Sequence, residues 1–510
     1  MRAGEGRRHG AGRMNKILIA NRGEIAVRVA RACRDVGVPA AAVYSDADRV
    51  SLHVLEAEEA VRIGPPPALE SYLDIDAVIA AARSVGADAI HPGYGFLAEN
   101  WRFAKRCEDE GITFIGPTSE ALHLVGDKIR SRETMKAEGV PIIPGMLSSA
   151  TDDGEYVAKA SEMGYPVLVK ASAGGGGKGM RAVRSEGELV DALEASRRVA
   201  KSAFGDDTVY IEKLIERPRH VEFQILADVY GNVVHLFERE CSIQRRHQKI
   251  VEESPSTALT PELRAEMGET AVRAAQAAGY TNAGTVEFLL DEDGSFYFLE
   301  VNARVQVEHP VTELVTGVDI VREQIRIASG ERLDLRQEDL RQSGHAIECR
   351  IYAEDPLNDF LPSSGRITLF RDPAGPGVRH DSGIYEGWEV PVYYDPILSK
   401  LIVHAGDREA ARQRMLRALS DTTILGIETT VEYLRAIIES AAFASGETQT
   451  DFIEKHMGDW GRAAAGEDLV DVAAIAGALV LAMGAARTAV ARREVSPWDL
   501  LGSWTIGGGS

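Results

Sequence analysis

Cysteine is scarce in this chain: only Cys33, Cys107, Cys241 and Cys349 occur in 510 residues, with no Cys-x-x-Cys pair. That spacing offers neither a zinc cage nor a disulfide framework, and it fits a reducing, cytoplasmic compartment. Basic residues are outnumbered, 57 Lys+Arg against 78 Asp+Glu, for a formal charge of -21. Such a balance repels a phosphate backbone, so no nucleic-acid partner is expected and any anionic ligand must sit in a local basic pocket. Long apolar runs are missing too. The most apolar stretch, Val472 to Ala486, is Ala-rich and shorter than the roughly 18 to 20 residues that span a bilayer. A buried or partner-facing helix is expected there, and no membrane span.

What is present suits packed cores. Hydrophobic residues make up 45% and charged residues 26% of the chain, near the globular average, so its length predicts two to four domains. Residues 1–13 are Arg- and Gly-rich without the apolar centre of a secretory signal, and read as a disordered leader. Either Met1 or Met14 is the start; a strand-like run from Lys16 begins just after Met14. Short β-rich runs then alternate with helical patterns (KILIA, EIAVRVARACRDV, AAAVYS, ADAIH, ITFIG), which predicts a parallel α/β sheet. Its first strand-to-helix turn, Asn21 to Glu24, lacks the three glycines of a dinucleotide fingerprint. A helix is expected around Asp127 to Glu138, and the prolines and glycines near residue 140 mark a boundary. Beyond it come a strand, a glycine loop and a second strand (PVLVKAS, AGGGGKGM, RAVR), then TVYIEKLI, HVEFQILAD, VVHLFERE, GTVEFLLD and SFYFLEVNARVQVE, which predict a mostly antiparallel α+β region. From His345 to Asp459 further strands mix with a helix at Arg408 to Ser420.

Chemistry concentrates in a few places. Glu300 to Glu308 alternates polar with apolar residues, so an extended chain would put five polar groups on one face. Taken alone that is an ordinary half-buried strand with a wet side. If Asp291 to Gly294 turns the chain, Glu287 falls on the same face, diagonal to Glu300 at about 7 to 8 Å. Two carboxylates with the Asn302 amide nearby suit hard divalent cations, magnesium on nucleotide phosphates above all. The loop Gly174 to Gly179 lets backbone N–H groups approach phosphates, although Gly179 after Lys178 rules out a Walker A loop. Lys170 ends an apolar strand, where a lysine directed inward is costly unless it meets an anion. Glu212 to Ile215 could present backbone groups to an adenine edge or simply end a strand. His220 and His247 taken singly read as partly buried structural histidines, and Arg350 as a partner for a nearby carboxylate. The basic run Gln244 to Lys249 is either a solvated face or an anion site.

In this order the pieces resemble the biotin carboxylase family of the ATP-grasp superfamily, from about Lys16 to Met457: IANRGEIAVRVARACRD, HPGYGFLAEN, the GDK ending at Lys128, KASAGGGGKGM, ERECSIQRRHQK, EVNARVQVEHPVTE and CRIYAEDP. The resemblance implies an α/β and α+β architecture. Its parts are a parallel pre-ATP-grasp domain (14–127), an ATP-grasp domain (128–344) with a glycine-rich lid (144–217), a biotin carboxylase C-terminal domain (345–462) and an extension (463–510) expected to dock a partner. It implies an ATP set of Lys128, Lys170, Gly176, Gly177, Glu212, Lys213, Leu214, Ile215, His220, Gln244 and His247. Glu287, Glu300 and Asn302 match the ligands of two Mg2+ ions, for which Mn2+ can substitute. Lys249, Arg304 and the Val307 backbone match the bicarbonate site, Glu308 the general base, and Arg350 the group that meets the ureido oxygen of biotin. The activity implied is biotin carboxylation through carboxyphosphate, the first half-reaction of an acetyl-CoA or other acyl-CoA carboxylase serving fatty acid biosynthesis. Homodimerisation and a carboxyltransferase partner are implied with it. No Ala-Met-Lys-Met motif occurs, so biotin is expected on a separate carrier protein. The alternatives are another ATP-grasp ligase of the carbamoyl-phosphate or purine type, against which Lys249, Arg304 and Arg350 argue together, and a non-catalytic ATP-grasp scaffold.

Overall fold

A computed structural model describes residues 14–146, 152–171, 180–246 and 248–461, apart from the side chain of Phe204. The leader, the glycine flap with Gly176 and Gly177, His247, and the extension with Val472 to Ala486 lie outside the described residues. Strands β1 (Ile17–Ile19), β2 (Ala40–Ser45), β3 (Glu59–Gly64), β4 (Ala89–His91) and β5 (Thr113–Phe114) form the expected parallel sheet, in the order β3-β2-β1-β4-β5. The first helix, Gly23–Asp35, turns Ile25, Ala26, Val29, Ala32 and Cys33 inward at helical spacing. Strand order reverses between β1 and β4, where doubly wound sheets open a ligand crevice. Here Asn21 ties the loops after β1 and β4 together, its Nδ2 donating to the carbonyls of Pro92 at 2.6 Å and Tyr94 at 2.7 Å.

Strands β6 (Val167–Ala171), β7 (Arg181–Val183) and β8 (Val209–Lys213) make a small antiparallel sheet in the order β7-β6-β8, as the strand, loop, strand pattern predicted. Tyr156, Val167, Val169, Leu189, Leu193 and Ile211 give it a core of its own. The large sheet has eight strands. It runs β13 (Phe296–Asn302), β12 (Asn282–Leu290), β9 (Arg219–Ala227), β10 (Val233–Arg245), β11 (Gln248–Ser254), β14 (His345–Tyr352), then Ile397–Ala405 and Val378–Ser382. Antiparallel pairing of β11 with β14 carries the sheet across the domain boundary expected at 344/345. Its central strands are buried on both faces, so β9, with the pattern RHVEFQILA, must satisfy Glu222 and Gln224 internally. None of the described helices is long and apolar enough to cross a membrane.

Candidate active site

A cleft of about 200 Å³ lies between the small sheet and the outer hairpin of the large one, lined by Lys128, Arg132, Lys170, Tyr210, Glu212, Glu300 and Asn302 among others. Asp127 caps the helix Lys128–Ala137 by accepting from the N–H groups of Ile129 and Arg130, which puts Lys128 on its first turn. A cation there opposes the helix dipole, so its place suits a neighbouring anion better than the helix itself. Glu212 on β8 pairs with Arg132 and, at 3.1 Å, with Lys170 on β6. Burial, helped by Arg132 and Lys128, brings the Lys170 ammonium down to about 8. Lys213 and Leu214 turn their N–H groups to the carbonyls of Pro144 and Pro166, and Ile215 is buried. The N–H groups of Lys213 and Leu214 are thus already engaged within the protein.

The hairpin of β12 and β13 corrects the expected spacing of the carboxylates. Phe288 pairs with Phe298, so a regular ladder would set Glu287 against Leu299 and turn Glu300 to the other face. A register shift at this point, with Leu299 as the extra residue, makes Glu287 and Glu300 direct partners instead of diagonal neighbours. Bulges re-aim side chains in this way next to functional sites. The strand is also shorter than the alternation predicted. It ends at Asn302, and residues 303–307 form a loop that leads to Glu308 at the N-terminal boundary of the helix His309–Thr316. Asn302, Gln306 and Glu308 are buried, not solvated: neighbouring strands supply partners for Gln306 and Glu308, and Arg304 of the loop supplies one for Asn302. Burial and the facing Glu287 raise the Glu300 carboxyl, which accepts no hydrogen bond from any described residue. A divalent cation would relieve that repulsion, and the oxygen donors of Glu287, Glu300 and Asn302 fit one. Asn302 Oδ1 meanwhile accepts from Arg304 Nη2 at 2.9 Å, and Arg304 Nε lies 3.2 Å from Glu99.

Behind the hairpin is a buried network of three cations and four carboxylates. Lys249 Nζ donates to Glu222 at 2.6 Å, Glu287 at 2.7 Å and Glu308 at 2.8 Å. Arg350 donates through Nε to Glu252 at 2.6 Å and through Nη2 to Glu308 at 3.0 Å. Arg239, wholly buried, donates to Glu222 (2.6 Å), Gln224 (2.8 Å), Thr312 (3.0 Å), Thr285 (3.1 Å) and Gln306 (2.8 Å). All five guanidinium donors are used, the condition under which a buried arginine is tolerated. Burial alone would lower Lys249 and raise Glu308. Instead the three carboxylates hold Lys249 well above its ordinary value, and Lys249, Arg350 and Arg239 hold Glu308 well below its own. Gln244 Nε2 meets His220 Nδ1 at 2.9 Å, so the ring proton is assigned to Nε2, which faces Glu287 at 3.0 Å outside hydrogen-bond geometry.

Most of the residues singled out in the sequence therefore come together. Lys128, Lys170, Glu212, Glu300 and Asn302 line the cleft, while Lys249, Glu287, Glu308, Arg350, His220 and Gln244 share the network. Arg304 turns toward Glu99 and Asn302, and the Val307 carbonyl faces Lys400. Sequence reasoning missed Arg239, Glu222, Glu252 and Arg132. Charged residues inside otherwise apolar strand runs, as in HVEFQIL and FERECSI, were the signal available for Glu222 and Arg239.

Family profiles match in three blocks: "Biotin carboxylase, N-terminal domain" over 13–122, "Carbamoyl-phosphate synthase L chain, ATP binding domain" over 127–336, and "Biotin carboxylase C-terminal domain" over 348–455. The chain is 57% identical over 442 residues to a pyruvate carboxylase subunit of Methanothermobacter thermautotrophicus, covering 87% of this chain and 90% of that protein. It is 55% identical over 443 residues to the biotin carboxylase of Nostoc, covering 87% of this chain and 99% of that protein. Among solved structures, the biotin carboxylase domain dimer of Hydrogenobacter thermophilus 2-oxoglutarate carboxylase, in complex with MgADP, ADP and bicarbonate, superposes with a TM-score of 0.83 at 50% identity, covering 87% of this chain and 98% of that one. The three matched domains, the extent of identity and the assembled site give one conclusion: the chain belongs to the biotin carboxylase family, ATP-dependent ligases of the ATP-grasp fold.

Proposed function

We propose that this protein uses ATP and bicarbonate to carboxylate the ureido nitrogen of biotin held on a separate carrier protein. The observation that carries this reading is the convergence of Lys249 and Arg350 on one ionised carboxylate, Glu308, next to the facing pair Glu287 and Glu300. An ionised carboxylate can accept a proton, and two cations beside it can hold an anion. Bicarbonate would sit against Lys249, Arg304 and the Val307 backbone and lose its proton to Glu308 before its oxygen attacks the γ-phosphate. Lys128 and Lys170 hold the phosphates, with His220, Gln244 and Glu212 to Ile215 around the nucleotide. Glu287, Glu300 and Asn302 would hold divalent cations, which when bound supply positive charge against the phosphoryl oxygens. Carboxyphosphate would break into carbon dioxide and phosphate, the phosphate would take the ureido proton of biotin, Arg350 would stabilise the oxyanion left behind, and the ureido nitrogen would then bond the carbon dioxide. Gly176, Gly177 and His247 belong to the same proposed nucleotide set.

The final acceptor is set by a carboxyltransferase partner. The sequence leaves acetyl-CoA, propionyl-CoA, another acyl-CoA or pyruvate open as the acceptor; an acyl-CoA is proposed, and relatives named for pyruvate and 2-oxoglutarate carboxylation make a 2-oxo acid the competing assignment. A homodimer is the proposed assembly, as for the 2-oxoglutarate carboxylase domain. Purified protein with Mg2+ should hydrolyse ATP slowly in a bicarbonate-dependent manner and faster with free biotin. ATP binding without any stimulation by biotin would refute the assignment.

A further inference from the structure

Lys400, in the strand Ile397–Ala405, is completely buried, and the proposed reaction gives it no part. Its Nζ donates to the Val307 carbonyl at 2.6 Å and lies 3.5 Å from Glu24 Oε2 and 5.9 Å from the centre of the Tyr94 ring. Tyr94 in turn donates its hydroxyl to the other oxygen of Glu24. Lys400 is also the cross-strand partner of Arg350, which grips Glu308. Neighbouring cations on two adjacent strands thus seize consecutive residues of one loop, Lys400 the carbonyl of Val307 and Arg350 the carboxylate of Glu308. Like charges directly opposite on a sheet repel, and a buried ammonium is costly. Glu348, two residues before Arg350 and so on the same face, is buried with both oxygens unpartnered among the described residues and would add negative potential only if ionised. Burial keeps that carboxyl well above its ordinary value, however, so its help is small. A role limited to filling space would be served as well by methionine.

We propose that Lys400 is a positioning residue for the bicarbonate subsite: it fixes the peptide joining Val307 to Glu308 and so aims the Glu308 carboxylate. This rests on the roles proposed above for Val307 and Glu308. Among the described residues the loop has no ladder partner between Asn302 and the helix at His309, and the side-chain bonds of Gln306 and Glu308 leave the Val307 carbonyl itself unheld, so without this donor the Val307–Glu308 peptide could rotate. Misplacement by about 1 Å costs up to about a hundredfold in rate.

The test compares wild type, Lys400→Met and Lys400→Arg in the full chain with Mg2+, ATP, bicarbonate and free biotin. Wild type is assayed first. Absence of bicarbonate-dependent hydrolysis there means that the proposed function has failed, independently of Lys400. The expected result is that Lys400→Met melts cooperatively and binds ATP within about twofold of wild type, yet loses at least about tenfold in kcat/KM for bicarbonate. Lys400→Arg, which retains a charged donor, should recover most of that loss. Unchanged bicarbonate kinetics in Lys400→Met, a parallel fall in ATP affinity, an arginine variant no better than methionine, or failure of both variants to fold would each overturn the proposal and leave Lys400 a structural strut.

Discussion

Glu308 is held ionised by Lys249, Arg350 and Arg239 against a burial that would otherwise protonate it. A carboxylate so stabilised is always ready to accept a proton but is a weak base, so as the proposed base it would depend on its placement. Glu308→Gln keeps the shape while removing the charge. Turnover with biotin should fall at least about a hundredfold, with the Kd for ATP within about twofold, because Glu308 does not line the nucleotide cleft. A large loss of ATP affinity in an equilibrium binding titration would reject its assignment as base. At this scale motif resemblance singled out Lys249, Arg350 and Glu308, and the structure brings the three into contact. Gln306 and Arg239 were not, because their work is to satisfy one another and Glu287 across strands distant in the chain.

Elements were largely legible from period and punctuation: the parallel sheet, the helix Lys128–Ala137, the pairing of β6 with β7, and β14 all follow the sequence pattern. The strand expected through Glu308 was not, since alternation alone does not distinguish a strand from a loop whose polar groups are bonded to neighbouring strands. The register shift at Leu299 carries no sequence mark either. Close approach between elements also matters at Gly383, where an added Cβ would lie 2.7 Å from the Glu24 backbone nitrogen and 3.0 Å from the Gly23 carbonyl carbon. Backbone cannot yield as a side-chain tip can. Gly383→Ala should therefore displace the first turn of the helix Gly23–Asp35, with a loss of about 1–3 kcal/mol in urea unfolding. An unchanged midpoint would show that this turn has room to move.

For the molecule as a whole, buried carboxyls predict the pH dependence of stability. Glu252 is pushed up from 4.5 to about 7, by burial and by Glu308, against the pull of Arg350. A carboxyl raised by folding keeps a proton that the unfolded chain releases, so its contribution is complete below 4.5 and is lost as pH climbs through about 7. Asp48 and Asp381 are lowered to about 2, and their contribution is present above 3.8 and lost as pH falls toward 2. The melting temperature should thus decline between about pH 4.5 and about pH 7, and Glu252→Gln should flatten that decline. Equal slopes in wild type and variant, measured by scanning calorimetry, would remove Glu252 as the cause. The formal charge of -21 adds repulsion in the same direction, which is why the comparison of slopes decides. By itself the sequence determined most element types, the three-domain series and the families of residues that carry charge, because periodicity, turn chemistry and motif order are local. Only the tertiary structure decided which charges meet: Glu287 facing Glu300 through one extra residue, Glu308 between Lys249 and Arg350, and Lys400 beneath Val307. Those contacts join strands far apart in the chain, and a buried charge takes its partner from the sheet's register, not from its neighbours in sequence.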